Sequence, residues 1–179
     1  MSGDRYFIQG QNDVYFITCT VVYWVDLFSR RNYRSIIVDS LNYCIEHKGL
    51  KVYAWVIMSN HIHLICKVES ELGISGFLRD FKKYTSKAFI KEMKQINESR
   101  REWMQRFFSF EAKRSGRASN FKIWKDDNHS IWMHDIDIWS KIDYIHNNPV
   151  VQEIVDSPNQ YIYLVQGIIV ELKDWLILK

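Results

Sequence analysis

The sequence predicts one α+β domain, in which helices pack on one face of an antiparallel β-sheet. Hydrophobic residues make up 47% of the 179 residues, enough to fill one sizeable core. Strand-like and helix-like segments follow one another in the order βαββα, then a polar stretch, and then a last helix. No segment repeats, so we take residues 1–179 as a single domain.

The first half of the chain supplies three strands and two helices. β-Branched and aromatic residues predict a strand at Tyr15 to Tyr23, and apolar residues at helical spacing predict a helix from about 32 to 47. Strands 51–58 and 61–68 then form a hairpin around a tight polar turn. A long helix is expected from about Ile74 to Met93.

The second half begins with a predicted insertion and ends with a helix. Residues from about 95 to 120 are polar and basic, which is typical of an insertion made of helix and loop. An edge strand is expected within 121–133, and a helix over 138–147 with Asp135 as its cap. Pro149 should end this helix, because the residue before a proline avoids helical backbone.

The composition excludes a membrane-spanning protein and disfavours a secreted one. The longest apolar run, Tyr53 to Met58, has six residues, whereas a spanning helix needs about 20. The N-terminus lacks the apolar stretch of a secretory signal. Cys19, Cys44 and Cys66 are odd in number and form no C-x-x-C pair, so we expect a protein of the reducing cytoplasm.

Positive charge is concentrated in one segment. Residues 79–125 contain 14 Lys and Arg against 5 Asp and Glu, together with nine aromatic residues, while the rest of the chain is acidic. Basic side chains neutralise phosphates, and aromatic rings offer faces on which unpaired bases stack. Charge alone leaves two interpretations open: nucleic-acid binding, or a solvated helix face above core aromatics.

The sharpest local motif is His61-Ile62-His63. Successive strand side chains point to opposite faces, so His61 and His63 share one face while Ile62 and Leu64 share the other. Two neutral imidazoles about 6.5–7 Å apart along a strand can converge on one divalent cation. A pair of exposed sheet histidines without a metal is the alternative.

A second motif lies about 80 residues later, in the stretch 141–150. Tyr144 and Asn148 are four residues apart and would share a helix face. The phenol offers a nucleophile, and the amide oxygen offers a ligand for a hard cation. Taken separately, Tyr144 would be a packing residue and Asn147-Asn148-Pro149 a helix terminator.

Four stretches carry a family resemblance: YAWVIMSNHIHLI (53–65), RDFKKYTSK (79–87), IWKDDNHSI (123–131) and DYIHNNPV (143–150). Over about residues 5–163 the chain resembles the HUH tyrosine-1 transposases, and more specifically the REP-associated tyrosine transposases. The resemblance implies a ferredoxin- or RRM-like sheet with the catalytic helix near the C-terminus. The tail after about Tyr161 departs from the family, although it is apolar enough to form a strand.

The resemblance also implies a mechanism. His61 and His63 match the family's HUH histidines and Asn148 its third polar ligand, so these residues are expected to hold Mg²⁺ or Mn²⁺. Tyr144 matches the catalytic tyrosine, which would form a 5′-phosphotyrosine and release a 3′-hydroxyl. That hydroxyl, or one from another strand, can reverse the step without ATP.

The surrounding residues receive supporting roles. Tyr84 is a competing nucleophile, but its basic helix favours a role in strand binding. His129 is either an accessory site residue or a loop hydrogen-bonding group. The DNA-binding residues predicted from the basic segment are Lys82, Lys83, Tyr84, Lys87, Trp124 and Lys125.

The predicted function is therefore DNA transposition by metal-dependent nicking and strand transfer on single-stranded or hairpin DNA. Two rivals stay open: a catalytically silent module that binds hairpin DNA or RNA, and a metal-dependent hydrolase of a small substrate. Both a monomer and a homodimer that exchanges the tyrosine helix are compatible with the resemblance.

Overall fold

A computed structural model describes residues 8–134 and 136–166, and its described part is built on one five-stranded antiparallel sheet. The strand order is β4-β1-β3-β2-β5. The strands are β1 (Tyr15–Thr20), β2 (Leu50–Ile57), β3 (His61–Val68), β4 (Ile131–Trp132) and β5 (Leu164–Gln166). The α-helices are α1 (Arg31–His47), α2 (Gly73–Gln95), α3 (Arg101–Ser115) and α4 (Ile138–Val151). The predicted α+β class is confirmed.

The sheet separates two hydrophobic clusters. On one face, α1 and α2 cover β1 and β3, where Ile17, Ile62 and Leu64 are buried. On the other face, α4 contributes Ile142 and Ile145 to a second cluster. Because strand side chains alternate between faces, His61 and His63 point toward the α4 side.

Two boundaries differ from those predicted. Strand β1 ends at Thr20, and the chain continues through short 3₁₀ turns at Val22–Trp24 and Leu27–Ser29. Helix α4 continues past Pro149 to Val151, so the prediction that this proline ends the helix is wrong. Pro149 lies in the last turn and removes the hydrogen bond that its position would otherwise donate, but Gln152 N donates to the Asn148 carbonyl beyond it.

Two further predictions concern the start of α4 and the chain that follows its end. The predicted cap, Asp135, lies outside the described residues, and the side chain of Asp137 accepts a hydrogen bond from the Trp139 amide instead. Beyond α4, strand β5 pairs with β2, and residues 167–179 of the tail lie outside the description. Among the described residues, no helix is both long and apolar enough to cross a bilayer.

The predicted insertion contains helix α3, which is anchored through Glu98. The side chain of Glu98 is fully buried and contacts Arg30 Nε at 2.6 Å and Arg100 Nε at 3.1 Å. The Tyr33 hydroxyl donates to the same carboxylate at 3.2 Å. Burial alone would raise the pKa of Glu98, but hydrogen bonds from Arg100 and Arg30 outweigh it and hold the pKa at about 2.

Substituting Glu98→Gln should lower the free energy of unfolding at pH 7 by about 2–3 kcal/mol, because two guanidinium groups lose their buried counter-charge. A depressed carboxyl pKa stabilises the fold above the unfolded value, about 4.5, and this contribution is lost as pH falls toward 2. Urea unfolding of both proteins should therefore show a difference in the free energy of unfolding that narrows below pH 4.5. Glu46→Gln, at an exposed site on α1, is the control and should change stability by less than about 0.5 kcal/mol. A gap independent of pH would contradict the assignment.

Candidate active site

The two histidines of β3 form one imidazole pair on the α4 side of the sheet. Their ring centroids are 4.7 Å apart, at an interplanar angle of 75°. The His63 side chain is buried at 4% exposure, and Phe16 of β1 stacks on its ring at 5.3 Å. Both rings therefore lie at the floor of a partly enclosed site.

Asn60 fixes the tautomer of His61. The amide nitrogen of Asn60 donates to the Trp24 carbonyl at 3.4 Å, which turns its Oδ1 toward His61 Nδ1 at 2.7 Å. An amide oxygen only accepts, so Nδ1 of His61 carries the proton. The lone pair of the neutral ring is then on Nε2, and it is free to bind a cation.

His63 presents a second ring nitrogen without a hydrogen-bond partner among the described residues. Its Nδ1 lies 2.9 Å from Thr18 Oγ1, while its buried Nε2 has no hydrogen-bond partner among the described residues. Burial lowers the pKa of His61 to about 4. Burial, with the charges of His61, Lys141 and His129, lowers the pKa of His63 to about 3. Both rings are thus neutral at pH 7, the form that metals require.

Helix α4 brings Tyr144 to this pair within the same chain. The Tyr144 ring centroid lies 5.3 Å from that of His63 and 5.9 Å from that of Phe16. The residue is 50% exposed, so part of its phenol is open to solvent. Asn148, one turn further along, is buried at 7% exposure. The Lys141 ammonium lies 5.9 Å from the Tyr144 ring centroid.

The loop that carries His129 lies beside the site at the edge of β1. Thr18 N donates to the Asn128 carbonyl at 2.9 Å, and the Thr18 hydroxyl contacts His63. His129 itself is exposed and has a φ of 41°, and its amide donates to Asp127 Oδ1. The position is compatible with either role predicted for this residue.

Comparison with protein families shows to which family the chain belongs. Residues 14–123 match the family model described as IS200-like transposase. The chain belongs to the IS200-like transposase family. The matched residues include both histidines of this family member, whereas Tyr144 and Asn148 lie C-terminal to them.

A solved structure supports the fold of this family member. A REP-associated tyrosine transposase bound to a REP hairpin is similar to it, with 18% sequence identity and a TM-score of 0.57, over 92% of this chain and 82% of that one. A proposed transposase from Deinococcus radiodurans R1 shows 12% identity and a TM-score of 0.48, over 82% of this chain and 97% of that one. No curated protein matches the sequence.

The predicted DNA-binding residues of this IS200-like chain fall into two groups. Lys83, Tyr84 and Lys87 are exposed on α2, beside a groove of about 980 Å³ between α2 and residues 117–128. Lys82 differs, because its ammonium donates to the Lys125 carbonyl at 2.6 Å and burial lowers its pKa. We therefore interpret Lys82 as a structural residue that joins α2 to the segment containing Lys125.

The prediction that Trp124 binds DNA is wrong. Its side chain is only 3% exposed, in contact with Phe28, Phe81 and Phe89, and its indole nitrogen donates to Thr85 Oγ1 at 3.0 Å. A ring enclosed in this way cannot stack on a base. Trp124 pairs with Val21 in an isolated β-bridge, a long-range contact that its basic sequence context does not reveal.

Trp124→Ala should destabilise the fold by about 3–5 kcal/mol, because it opens a large cavity in the core. Thermal unfolding should show the loss, whereas Tyr84→Ala, at 61% exposure, should unfold like the parent protein. An unchanged unfolding temperature for Trp124→Ala would contradict the core assignment.

Four residues around the imidazoles were not predicted from the sequence: Phe16, Thr18, Asn60 and Lys141. Phe16 and Thr18 could be found only from the pairing of β1 with β3, which sets Thr18 opposite His63. Asn60 and Lys141 had a local signal, since one precedes His61 directly and the other is three residues before Tyr144.

Proposed function

We propose that the chain is a metal-dependent DNA nickase and strand transferase that acts on single-stranded DNA beside a hairpin. One observation carries this proposal: the accessible phenol of Tyr144 lies against the ring of His63, whose buried Nε2 has no partner among the described residues. A buried polar atom without a partner is costly, and a ligand of the site would remove that cost.

The side chains present offer donors for a divalent cation. Nε2 of His61, Nε2 of His63 and the amide oxygen of Asn148 would hold Mg²⁺ or Mn²⁺. Amide oxygen suits both ions, whereas imidazole nitrogen is a softer donor that favours Mn²⁺ over Mg²⁺. When bound, the ion neutralises the negative charge of the phosphodiester and polarises a phosphoryl oxygen. Asn60 and Thr18 hold the two rings with Nε2 directed away from their own hydrogen bonds.

Tyr144 then performs the covalent step. Its hydroxyl oxygen attacks phosphorus and loses its proton, and the bond from phosphorus to the 3′-oxygen breaks. The products are a 5′-phosphotyrosine and a strand whose 3′-oxygen has taken up a proton. Lys141, one turn earlier on α4, adds positive charge 5.9 Å from the centroid of the Tyr144 ring. The 3′-hydroxyl of another strand reverses the step and frees Tyr144.

The basic surface supports hairpin DNA as the partner. Lys83 and Lys87 line the groove beside α2, and the segment 79–125 carries the excess of positive charge. The structurally similar REP-associated transposase was solved bound to a REP hairpin. We extend that type of partner to this chain, with phosphate contacts from the exposed lysines and a base contact from Tyr84.

Incubation with labelled DNA tests the proposal. The substrates are hairpins with single-stranded flanks, copied from inverted repeats beside the gene, and Mn²⁺ is added. A band that survives denaturation, with a nucleotide mapped to Tyr144 by mass spectrometry, is the expected result. An adduct on Tyr84 would reassign the nucleophile, and tight hairpin binding without any adduct would favour the silent binding module. Bound zinc with no DNA affinity would favour the hydrolase.

A further inference from the structure

Four exposed aromatic residues, which together we call the aromatic ridge, lie on the first 3₁₀ turn and on α3. The ridge consists of Trp24, Tyr23, Phe107 and Trp103, with exposures of 65%, 39%, 44% and 39%. The Tyr23 and Phe107 rings are 5.3 Å apart, and those of Phe107 and Trp103 are 5.8 Å apart. The proposed function does not use these residues.

The backbone of the ridge is strained at Tyr23 and Trp24. Tyr23 and Trp24 have φ values of 56° and 52°, a left-handed conformation that is an outlier for bulky residues. The Tyr23 hydroxyl donates to Glu111 Oε2 at 2.7 Å, which fixes this turn on α3. Strain of this kind concentrates at ligand clamps and active sites.

The ridge begins next to the imidazole pair. The Trp24 carbonyl accepts from Asn60 Nδ2, and Asn60 Oδ1 contacts His61 Nδ1. Two hydrogen bonds therefore separate the first ridge residue from a proposed metal ligand. The backbone at Trp24 is thereby tied to the end of β3 that carries His61.

The positive charge around the ridge favours a nucleic acid as its ligand. The Lys125 ammonium lies 3.0 Å from the centroid of the Trp24 ring, and α3 adds exposed Arg106 and Lys113 to a segment that is already basic. Rings interspersed with cations suit a polyanion that has flat faces, which is a single-stranded nucleic acid. A protein partner would not require this excess of positive charge.

We propose that the aromatic ridge stacks the unpaired nucleotides that flank the scissile phosphate, with Trp24 nearest the cut and Lys125 on a phosphate. This inference rests on the proposed function, because it takes single-stranded DNA as the substrate. Stacking tolerates any base, so the ridge would fix the length and path of the flank and leave its sequence free.

Equilibrium binding in a metal chelator tests the ridge without strand cutting. Two labelled oligonucleotides are compared by fluorescence anisotropy: a hairpin with a single-stranded flank, and the same hairpin trimmed of its flank. Trp24→Ala and Phe107→Ala should each weaken binding of the flanked hairpin by about 5- to 150-fold, the range for loss of one stacked base. Binding of the trimmed hairpin should not change.

Matched variants separate stacking from damage to the fold. Tyr43→Ala removes an aromatic ring of similar exposure, 54%, from α1 and should bind both oligonucleotides like the parent protein. Trp24→Phe keeps a flat ring and should recover most of the lost affinity. Removing the flank base next to the scissile phosphate should weaken binding to the parent protein but not to Trp24→Ala.

Several results would contradict the proposal that the ridge stacks nucleotides. These are unchanged binding by both alanine variants, an equal loss for both oligonucleotides, or a parent protein that binds flanked and trimmed hairpins alike. A shift in sedimentation of Trp24→Ala with unaltered flank binding would make the ridge a contact between copies instead. The covalent step is scored separately: adducts on Tyr144 without a ridge effect overturn only the ridge, and a ridge effect without adducts overturns only the covalent step.

Discussion

Tyr144→Phe should abolish covalent adduct formation with single-stranded DNA and leave hairpin affinity within about twofold of the parent value. The substitution removes one oxygen and keeps the ring that contacts His63 and Phe16, so the packing of α4 should survive. Without the hydroxyl there is no nucleophile to accept the phosphoryl group, and nicking should fall at least about a thousandfold. Denaturing gels measure the adduct, and anisotropy in chelator measures the affinity.

Tyr84→Phe is the matched control for this substitution. Tyr84 is exposed on α2, which packs on the sheet face opposite the imidazoles, so its loss should leave adduct formation intact. If Tyr144→Phe kept its full adduct yield while Tyr84→Phe lost it, the nucleophile would lie on α2. The imidazole pair would then need a different explanation.

The parts of the site that were predictable are those that follow from local periodicity. The two-residue repeat of a strand put His61 and His63 on one face and Ile62 on the other, and the structure has Ile62 fully buried among α1 and α2. The three strands of the first half and helices α1 and α2 were likewise predicted to within a few residues, except for the early end of β1.

The parts that were not predictable depend on long-range pairing. The basic context of Trp124 suggested a surface residue, yet an isolated bridge to Val21 turns it into the core. The sequence predicted that Lys82 binds phosphate. In the fold its ammonium instead lies 2.6 Å from the Lys125 carbonyl. The strained turn at Tyr23 and Trp24 continued a β-branched run, and nothing local marked the end of the strand.

Burial has two consequences at the imidazole pair. It removes water from His63 Nε2, which leaves this atom without a partner among the described residues, and it suppresses protonation of both rings. An unliganded pair therefore carries a desolvation cost that is not offset by charge pairing. Cation binding would offset that cost, so the same feature that looks unfavourable for folding is favourable for a metal site.

Mn²⁺ binding should accordingly depend on both histidines. His61→Ala and His63→Ala should each weaken Mn²⁺ affinity at least about a hundredfold in titration calorimetry, since loss of a direct ligand exceeds the 10- to 100-fold effect of outer partners. Asn60→Ala should fall within that smaller range, because it frees the His61 ring to take the wrong tautomer. His47→Ala, on an exposed ring at the end of α1, is the control and should leave the affinity unchanged.

The pH dependence of Mn²⁺ binding should identify the buried rings as the ligands. Protons compete with the cation for Nε2, and an ordinary histidine begins to lose metal near its pKa of about 6.5. With pKa values held near 4 and 3 by burial, the parent protein should keep its Mn²⁺ affinity from pH 7 down to about pH 5 and lose it below. A midpoint near pH 6.5 would mean that exposed histidines hold the ion. Undiminished affinity in both alanine variants would remove the imidazole pair from the metal site altogether.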